Sequence, residues 1–278
     1  MKRLLFIADS HTGGAFGLFP PDFGNKPLNK IQTYLWECWQ HMTAILPRLD
    51  AMILMGEQTE GSNVKEDSLM IHEVNRARQI DAAVEALKRG PLQRLKRGGA
   101  VHVLTGSHYH VGRQAEQAHS LGSQLLEGGY NVSTDAFGHR AHNWLHLSVE
   151  GVLFDIAHNQ TATIVYRTMP LERELIHMLL RQGDDDVIVR AHTHTDATVS
   201  IGTRWAIALP PWKCQDGFAT SSRTPNRWRT ERIGSYLLEV SGAAKEGGGD
   251  PIRIVKYLYA APQIERLYDA EATSTASD

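Results

Sequence analysis

Residues able to do chemistry recur at one kind of place in this chain, directly after an apolar run. Asp9, His11, Glu57, His108 (with His110 two residues on), His158, His192 and His194 all stand there. Each is a carboxylate or an imidazole, and neither Cys38 nor Cys214 falls among them. Oxygen and imidazole donors without thiolate suit manganese, iron, zinc or nickel, and argue against calcium or magnesium alone. Two close metal ions need such a set, with one carboxylate to bridge them and a few terminal ligands each. Taken singly, Asp9 would read as the cap of a turn and His11 as incidental. Their repetition at several strand ends points to a shared centre.

The elements that must position these residues can be read from the apolar pattern. Leu4-Leu5-Phe6-Ile7-Ala8 lacks helical periodicity and runs into Asp9-Ser10-His11-Thr12-Gly13-Gly14, a buried strand entering a tight loop. Residues two apart on a strand point to the same side, which lets Asp9 and His11 converge. The carboxyl end of a parallel strand is the usual place for a site in an α/β sheet. Phe16 to Pro27 reads as a loop over that site. Asn29 or a neighbour opens a helix from Lys30 to Leu46, with Trp36 and Trp39 as packing residues.

Asp50 to Met55 is a second strand, ending in Gly56-Glu57-Gln58-Thr59-Glu60-Gly61, and a long polar helix is expected from Lys65 to Arg89. Ala100 to Thr105 is a third, with the loop Gly106-Ser107-His108-Tyr109-His110-Val111-Gly112-Arg113 and a helix from Gln114 to Glu127. Strand followed by helix, repeated, is the pattern of a parallel sheet with crossover helices. From Tyr130 the strands shorten. Asn143 to Val149 and Val152 to Ala157 form a hairpin whose second strand ends in His158. A helix from Pro170 to Gln182 precedes the strand Val187 to Ala191, which ends in His192-Thr193-His194. Asp184-Asp185-Asp186 reads as a solvated turn. Further strands cover Thr198–Ile201, Arg204–Leu209, Ser235–Val240 and Ile252–Tyr259.

Composition bounds the setting. With 278 residues, 29 basic against 31 acidic and a net charge of −2, overall electrostatics favour neither nucleic acid nor membrane. Two cysteines make no disulfide framework, which fits a reduced cytoplasm. No apolar stretch is long enough to span a bilayer, and the amino-terminal run is too short for a signal peptide. Residues 1–265 read as one domain and 266–278 as a disordered tail. Oligomeric state leaves no trace in the pattern.

The ordered blocks Asp9-Ser10-His11, Gly56-Glu57-Gln58-Thr59-Glu60, Gly106-Ser107-His108, His158 and Ala191-His192-Thr193-His194 resemble the calcineurin-like metallophosphoesterases. That family carries Asp-x-His, Gly-Asp-x-x-Asp, Gly-Asn-His-Asp/Glu, a lone His and Gly-His-x-His, each after a strand. The resemblance covers residues 1 to 210 and looks most like a phage-borne branch that varies the third block. It implies a four-layer αββα sandwich with two stacked mixed sheets, and two divalent transition-metal ions, manganese first, with zinc, iron or nickel as alternatives. Asp9, His11 and His194 would hold one ion, His158, His192 and a third-block residue the other, and Glu57 would bridge. The chain departs from the family in having Glu57 for the bridging Asp, Ser107 for the ligand Asn, and two third-block imidazoles instead of one. Either His108 is a ligand and His110 the acid, which keeps the ligand count whole, or His108 is the protonating histidine. Arg113 lies close enough in sequence to touch phosphate.

The activity so implied is phosphodiester hydrolysis on nucleic acid or a nucleotide. A small-molecule phosphomonoesterase and a metal-binding scaffold without turnover are the alternatives. Arg223 to Arg232 sets arginines around a tryptophan, so Arg227, Trp228 and Arg229 are expected to track and stack a single strand, although a solvated loop reads equally well.

Overall fold

A computed structural model of the chain describes residues 1–62, 70–159, 168–214 and 230–262. Its first sheet contains β1 (Lys2–Ile7), β2 (Leu49–Met55), β3 (Leu95–Leu104), β4 (Asn131–Val132), β10 (Arg232–Val240) and β11 (Ile252–Ala260), in the order β11-β10-β1-β2-β3-β4. β1 to β4 run parallel, and β10 is antiparallel to both β1 and β11. The second sheet has the order β5-β6-β7-β9-β8, from β5 (Trp144–Val149), β6 (Val152–Ala157), β7 (Val187–Arg190), β8 (Ala197–Ile201) and β9 (Arg204–Ala208). There β6, β7 and β9 are parallel, while β5 and β8 are antiparallel edges.

The apolar run of β1 has no amphipathic alternation because both of its faces are covered. Leu5 and Ile7 pack with Leu35, Trp39 and Met42 of α1 (Lys30–Ile45), Ile80 and Val84 of α2 (Arg76–Lys88), and Leu121 and Leu125 of α4 (Glu116–Glu127). Leu4 and Phe6 face the other way, onto Phe154, Ile156, Val187, Val189 and Ile207 of the second sheet. The far face of that sheet, Ile188, Ala206 and Ala208, is covered by Leu171 and Leu175 of α5 (Met169–Leu180). Period-two alternation along fully buried strands thus creates three apolar seams and a four-layer αββα sandwich with two mixed sheets.

Helix starts are set by their caps. Asn29 accepts from the Gln32 amide at 2.9 Å while its own N–H donates to the Gln32 side chain, a reciprocal box that starts α1. The helix expected from Lys65 begins only at Arg76. Asn75 caps it by accepting from the amides of Ala77 and Arg78. The preceding backbone is committed elsewhere: His72 and Glu73 donate to the Gly13 carbonyl, and Ala15 donates to that of Met70. The third-block loop contains one helical turn, α3 (His108–Val111), and the Gly-rich loop before β11 contains a short α6 (Gly242–Glu246). Asp186 is not solvated; it accepts from the Leu153 amide and pairs with Lys245 at 2.6 Å. No helix among the described residues is long and apolar enough to cross a membrane.

Candidate metal centre

Register brings the parallel strand ends of both sheets to one edge. Ile7 pairs with Leu54 and Leu54 with Val103, so the loops after β1, β2 and β3 leave the first sheet side by side. Ile156 pairs with Val189, which sets the ends of β6 and β7 together in the second. Each loop then turns sharply. Asp9, His11, Glu57, His192 and His194 have φ of 50°, 44°, 42°, 70° and 52°, half of the ten positive-φ residues other than glycine among those described. Left-handed backbone costs about 1–3 kcal/mol at each such residue. Cross-loop hydrogen bonds hold it, with the His11 amide on the Glu57 carbonyl at 2.9 Å and the Glu60 amide on that of Thr12 at 3.0 Å. Gly56 must be glycine: at φ 77° a Cβ would stand 2.6 Å from His158 Nδ1.

Glu57 lies at the middle. Its Oε2 is 3.1 Å from His11 Nε2, and its Oε1 is 3.2 Å from His158 Nε2 and 3.4 Å from His192 Nδ1. Asp9 Oδ1 is 3.9 Å from His158 Nε2 and 3.8 Å from His194 Nε2. The ligand atoms of Asp9, His11, Glu57 and His194 lie within 4.8 Å of one another, as do those of Glu57, His158 and His192, so that Glu57 belongs to both groups. Asp9, His11, Glu57 and His158 are buried, while the His192 side chain is 45% exposed and opens the centre to solvent on its side.

The donors fit divalent cations. Asp9 Oδ1, His11 Nε2 and His158 Nε2 are buried and make no hydrogen bond, a state buried polar atoms seldom occupy without a ligand. Outer partners fix both imidazoles: His11 Nδ1 donates to Glu60 Oε2 at 2.9 Å and His158 Nδ1 donates to the Met55 carbonyl at 2.6 Å. In its neutral form each ring would present its Nε2 lone pair inward, the usual second-shell arrangement of metal-binding histidines.

The charge balance agrees. Burial and Lys213 both disfavour a charged His11, but Glu60, its hydrogen bond to the ring and the adjacent Glu57 carboxylate outweigh them and raise it to about 9. Burial likewise opposes charge on His158, and Glu57, Asp9 and the Met55 bond raise it to about 9. Asp9 is raised to about 6, chiefly by burial against the pull of His158. Glu57 and Glu60 are held down despite burial, Glu57 by the imidazoles of His158, His11 and His192 beside it, Glu60 to about 2 by His11 and Lys213. Without a cation, the carboxylates are balanced by protons on His11 and His158.

Two residues not singled out in the sequence complete the surroundings. Glu60, buried, accepts from His11 through Oε2, and its Oε1 lies 3.4 Å from Nζ of the buried Lys213. Glu60 carries a signal in the spacing of the second block; Lys213 carries none, and reaches the centre because its backbone bridges to Gly17. His110 stacks edge-on against His11 with ring centres 4.5 Å apart and donates Nδ1–H to the Glu60 carbonyl at 2.7 Å. Burial, then the neighbouring His11, pushes His110 down to about 4.

The structure brings together six of the seven expected ligands and corrects the placement of the seventh. His108 is exposed at the start of α3 and lies outside these groups, and His110 takes the inner position instead. The reason is helical: residues two apart diverge by about 200° on a helix, whereas on a strand they would converge. Arg113, also exposed, shares with His108 the wall of an adjoining cavity. Arg227, Trp228, Arg229 and the tail 266–278 lie outside the described residues. His11, Glu60 and His110 form another close group at the centre, and a fourth, His146, Asp155 and Asp185, includes Asp155 paired to Arg190.

No protein-family model and no curated protein sequence matches the chain. Among solved structures it is similar to Vps29 of Entamoeba histolytica complexed with zinc, at 13% identity and a TM-score of 0.39, over 92% of this chain and 99% of that one. It is similar also to a novel archaeal phosphodiesterase, at 9% identity and a TM-score of 0.43, over 91% and 99% of the two chains. A third is Vps29 of Chaetomium thermophilum, at 11% identity and 0.38, over 95% and 97%. Likeness at this level says nothing of what this chain acts on.

Proposed function

We propose that the chain is a calcineurin-like metallophosphoesterase that hydrolyses phosphodiesters with two divalent transition-metal ions, manganese foremost. One observation carries the reading: a buried carboxylate, Glu57, shared by two groups of imidazole and carboxylate donors, with Asp9 Oδ1, His11 Nε2 and His158 Nε2 buried and unbonded among them. Asp9, His11 and His194 would hold one ion and His158 and His192 the other, with Glu57 common to both. Bound there, the ions would supply Lewis acidity toward phosphate oxygens and acidify water near neutral pH.

The chain's own residues provide the rest. Glu60 and the Met55 carbonyl hold the two buried imidazoles in the ligating tautomer. Partial exposure of His192 and His194 leaves the centre open to an ester from that side. His108, at the rim and in water, is the histidine available to pass a proton to a departing oxygen, whereas His110 is neutral near pH 7 and tied to Glu60. Arg113 stands on the same rim to meet phosphate.

The test is turnover of bis- and mono-p-nitrophenyl phosphate with Mn²⁺, Ni²⁺, Zn²⁺ and Mg²⁺ in turn, beside metal content. Diester turnover that needs a transition metal and is lost in Glu57→Gln supports the reading. Metal bound at this centre without turnover of either ester would make the chain a scaffold instead.

A further inference from the structure

Beside the metal centre lies a cavity of about 640 Å³, of whose wall the chemistry above uses only His108 and Arg113. Its wall includes Gly106, next to Ser107, whose N–H donates to Glu57 Oε1 at 3.2 Å, so the cavity begins where the shared carboxylate is held. A metal-bound phosphate alone would leave most of this volume to water. Single-ligand pockets run to about 300–1,000 Å³, so the space suits one ligand of moderate size.

Two features of the wall identify that ligand. In the wall, the rings of His119 and His139 stand 5.2 Å apart, and Phe137, 85% exposed and outside the wall itself, packs on His139. An aromatic corner left open to water is a platform on which a flat heterocycle stacks. Arg113, in the same wall, makes no ion pair with a described residue. The nearby acids are committed, Asp135 to His139 at 2.9 Å and Glu116 to the Gln114 amide. An anionic group can therefore meet an uncompensated guanidinium. Also in the wall, Asn143 accepts the Thr105 hydroxyl on its carbonyl oxygen at 2.8 Å, and its amide N–H groups remain for a base edge or a sugar.

From this arrangement we propose that the cavity binds one nucleotide unit of the substrate, its base against His119 and His139 and its anionic group toward Arg113. The inference rests on the phosphoesterase reading and names the substrate class within it. The volume suits a single nucleotide.

The experiment uses the metal-loaded full chain and two esters with the same leaving group, the p-nitrophenyl ester of thymidine 5′-monophosphate and methyl p-nitrophenyl phosphate. Ser120→Trp fills the cavity from the exposed surface of α4. His139→Ala removes part of the platform without adding bulk. Each should lower kcat/KM for the nucleoside ester by about ten-fold or more, the worth of one lost stacking contact, with the methyl ester and the metal content unchanged. Thymidine monophosphate should compete with the nucleoside ester in wild type and about ten-fold less well in Ser120→Trp. Equal kcat/KM losses for both esters, or none in either variant, would overturn the subsite while wild-type turnover leaves the activity standing. An octanucleotide competing about ten-fold better than the mononucleotide would overturn the single-nucleotide assignment. If wild type turns over neither ester, the phosphoesterase reading itself falls. Competition for a fluorescent nucleotide in the same variants then judges the cavity separately.

Discussion

Replacing Lys213 by Met tests whether the metal centre depends on a cation outside its ligand set. The Lys213 side chain is only 4% exposed, and its Nζ stands 3.4 Å from Glu60 Oε1. At that separation the attraction is about 5 kcal/mol for an effective dielectric constant of about 20. Losing it leaves Glu60 charged and buried, with His11 at 2.9 Å as its nearest cationic neighbour among the described residues. Breaking a buried pair costs about 3–5 kcal/mol of stability, and the lower end is expected because His11 remains to balance Glu60. His11 will then hold its proton more tightly, because Lys213 now lowers that imidazole's pKa. A cation has to displace that proton, so Mn²⁺ affinity should fall by about 10–100-fold, or about 1.4–2.7 kcal/mol. Calorimetric titration of metal-free wild type, Lys213→Met and Lys213→Met/Glu60→Gln measures this directly. The double variant removes both charges and should recover most of the stability but not the affinity, since His11 has lost its carboxylate. A folded Lys213→Met protein with wild-type Mn²⁺ affinity would refute the reasoning.

The same geometry sets four further outcomes. His11 and His158 are raised to about 9, so protons must leave both when a cation binds, and Mn²⁺ affinity should climb between about pH 7 and 9 with proton release visible in buffers of different ionisation enthalpy. The charged imidazoles stabilise the metal-free fold fully below their unfolded value of about 6.5, a contribution lost as pH rises through about 9, so metal-free Tm should drop over that range while the metal-loaded Tm does not. Gly56→Ala puts a Cβ 2.6 Å from His158 Nδ1 at φ 77°; at least one equivalent of metal should be lost by elemental analysis, with a destabilisation of about 1–3 kcal/mol by urea titration. His110→Ala should weaken metal binding because it removes the ring against His11, whereas His108→Ala should keep its metal and slow esters with poor leaving groups most; equal metal loss in both would reject the distinction.

How much of this was readable from residue order depends on the distance over which each feature is decided. The ends of β1, β2, β6 and β7 are legible because fully buried parallel strands are short, continuous apolar runs, and the residues directly after each run must emerge at the sheet edge. Asp9, Glu57, His158 and His192 are therefore placed by local pattern alone, as is the α1 start at Asn29 through its box with Gln32. The late start of α2 was not legible, since the segment before Arg76 gives its hydrogen bonds to the Gly13 loop, far off in sequence. Whether His108 or His110 faces inward depended on a single helical turn in the third block, and such a turn is settled by packing. Lys213 had no local signal at all: a lysine in an irregular stretch is ordinarily in water, and only the fold, by burying it 153 residues away from Glu60 in sequence, makes its charge part of the centre. Composition and apolar period determine the strands and so the ligands at their ends, both being short-range properties. The left-handed turns, the outer partners of the imidazoles and the cavity lined by His119, His139 and Arg113 are products of tertiary structure, because each needs chain segments that meet only when the sheets close on each other.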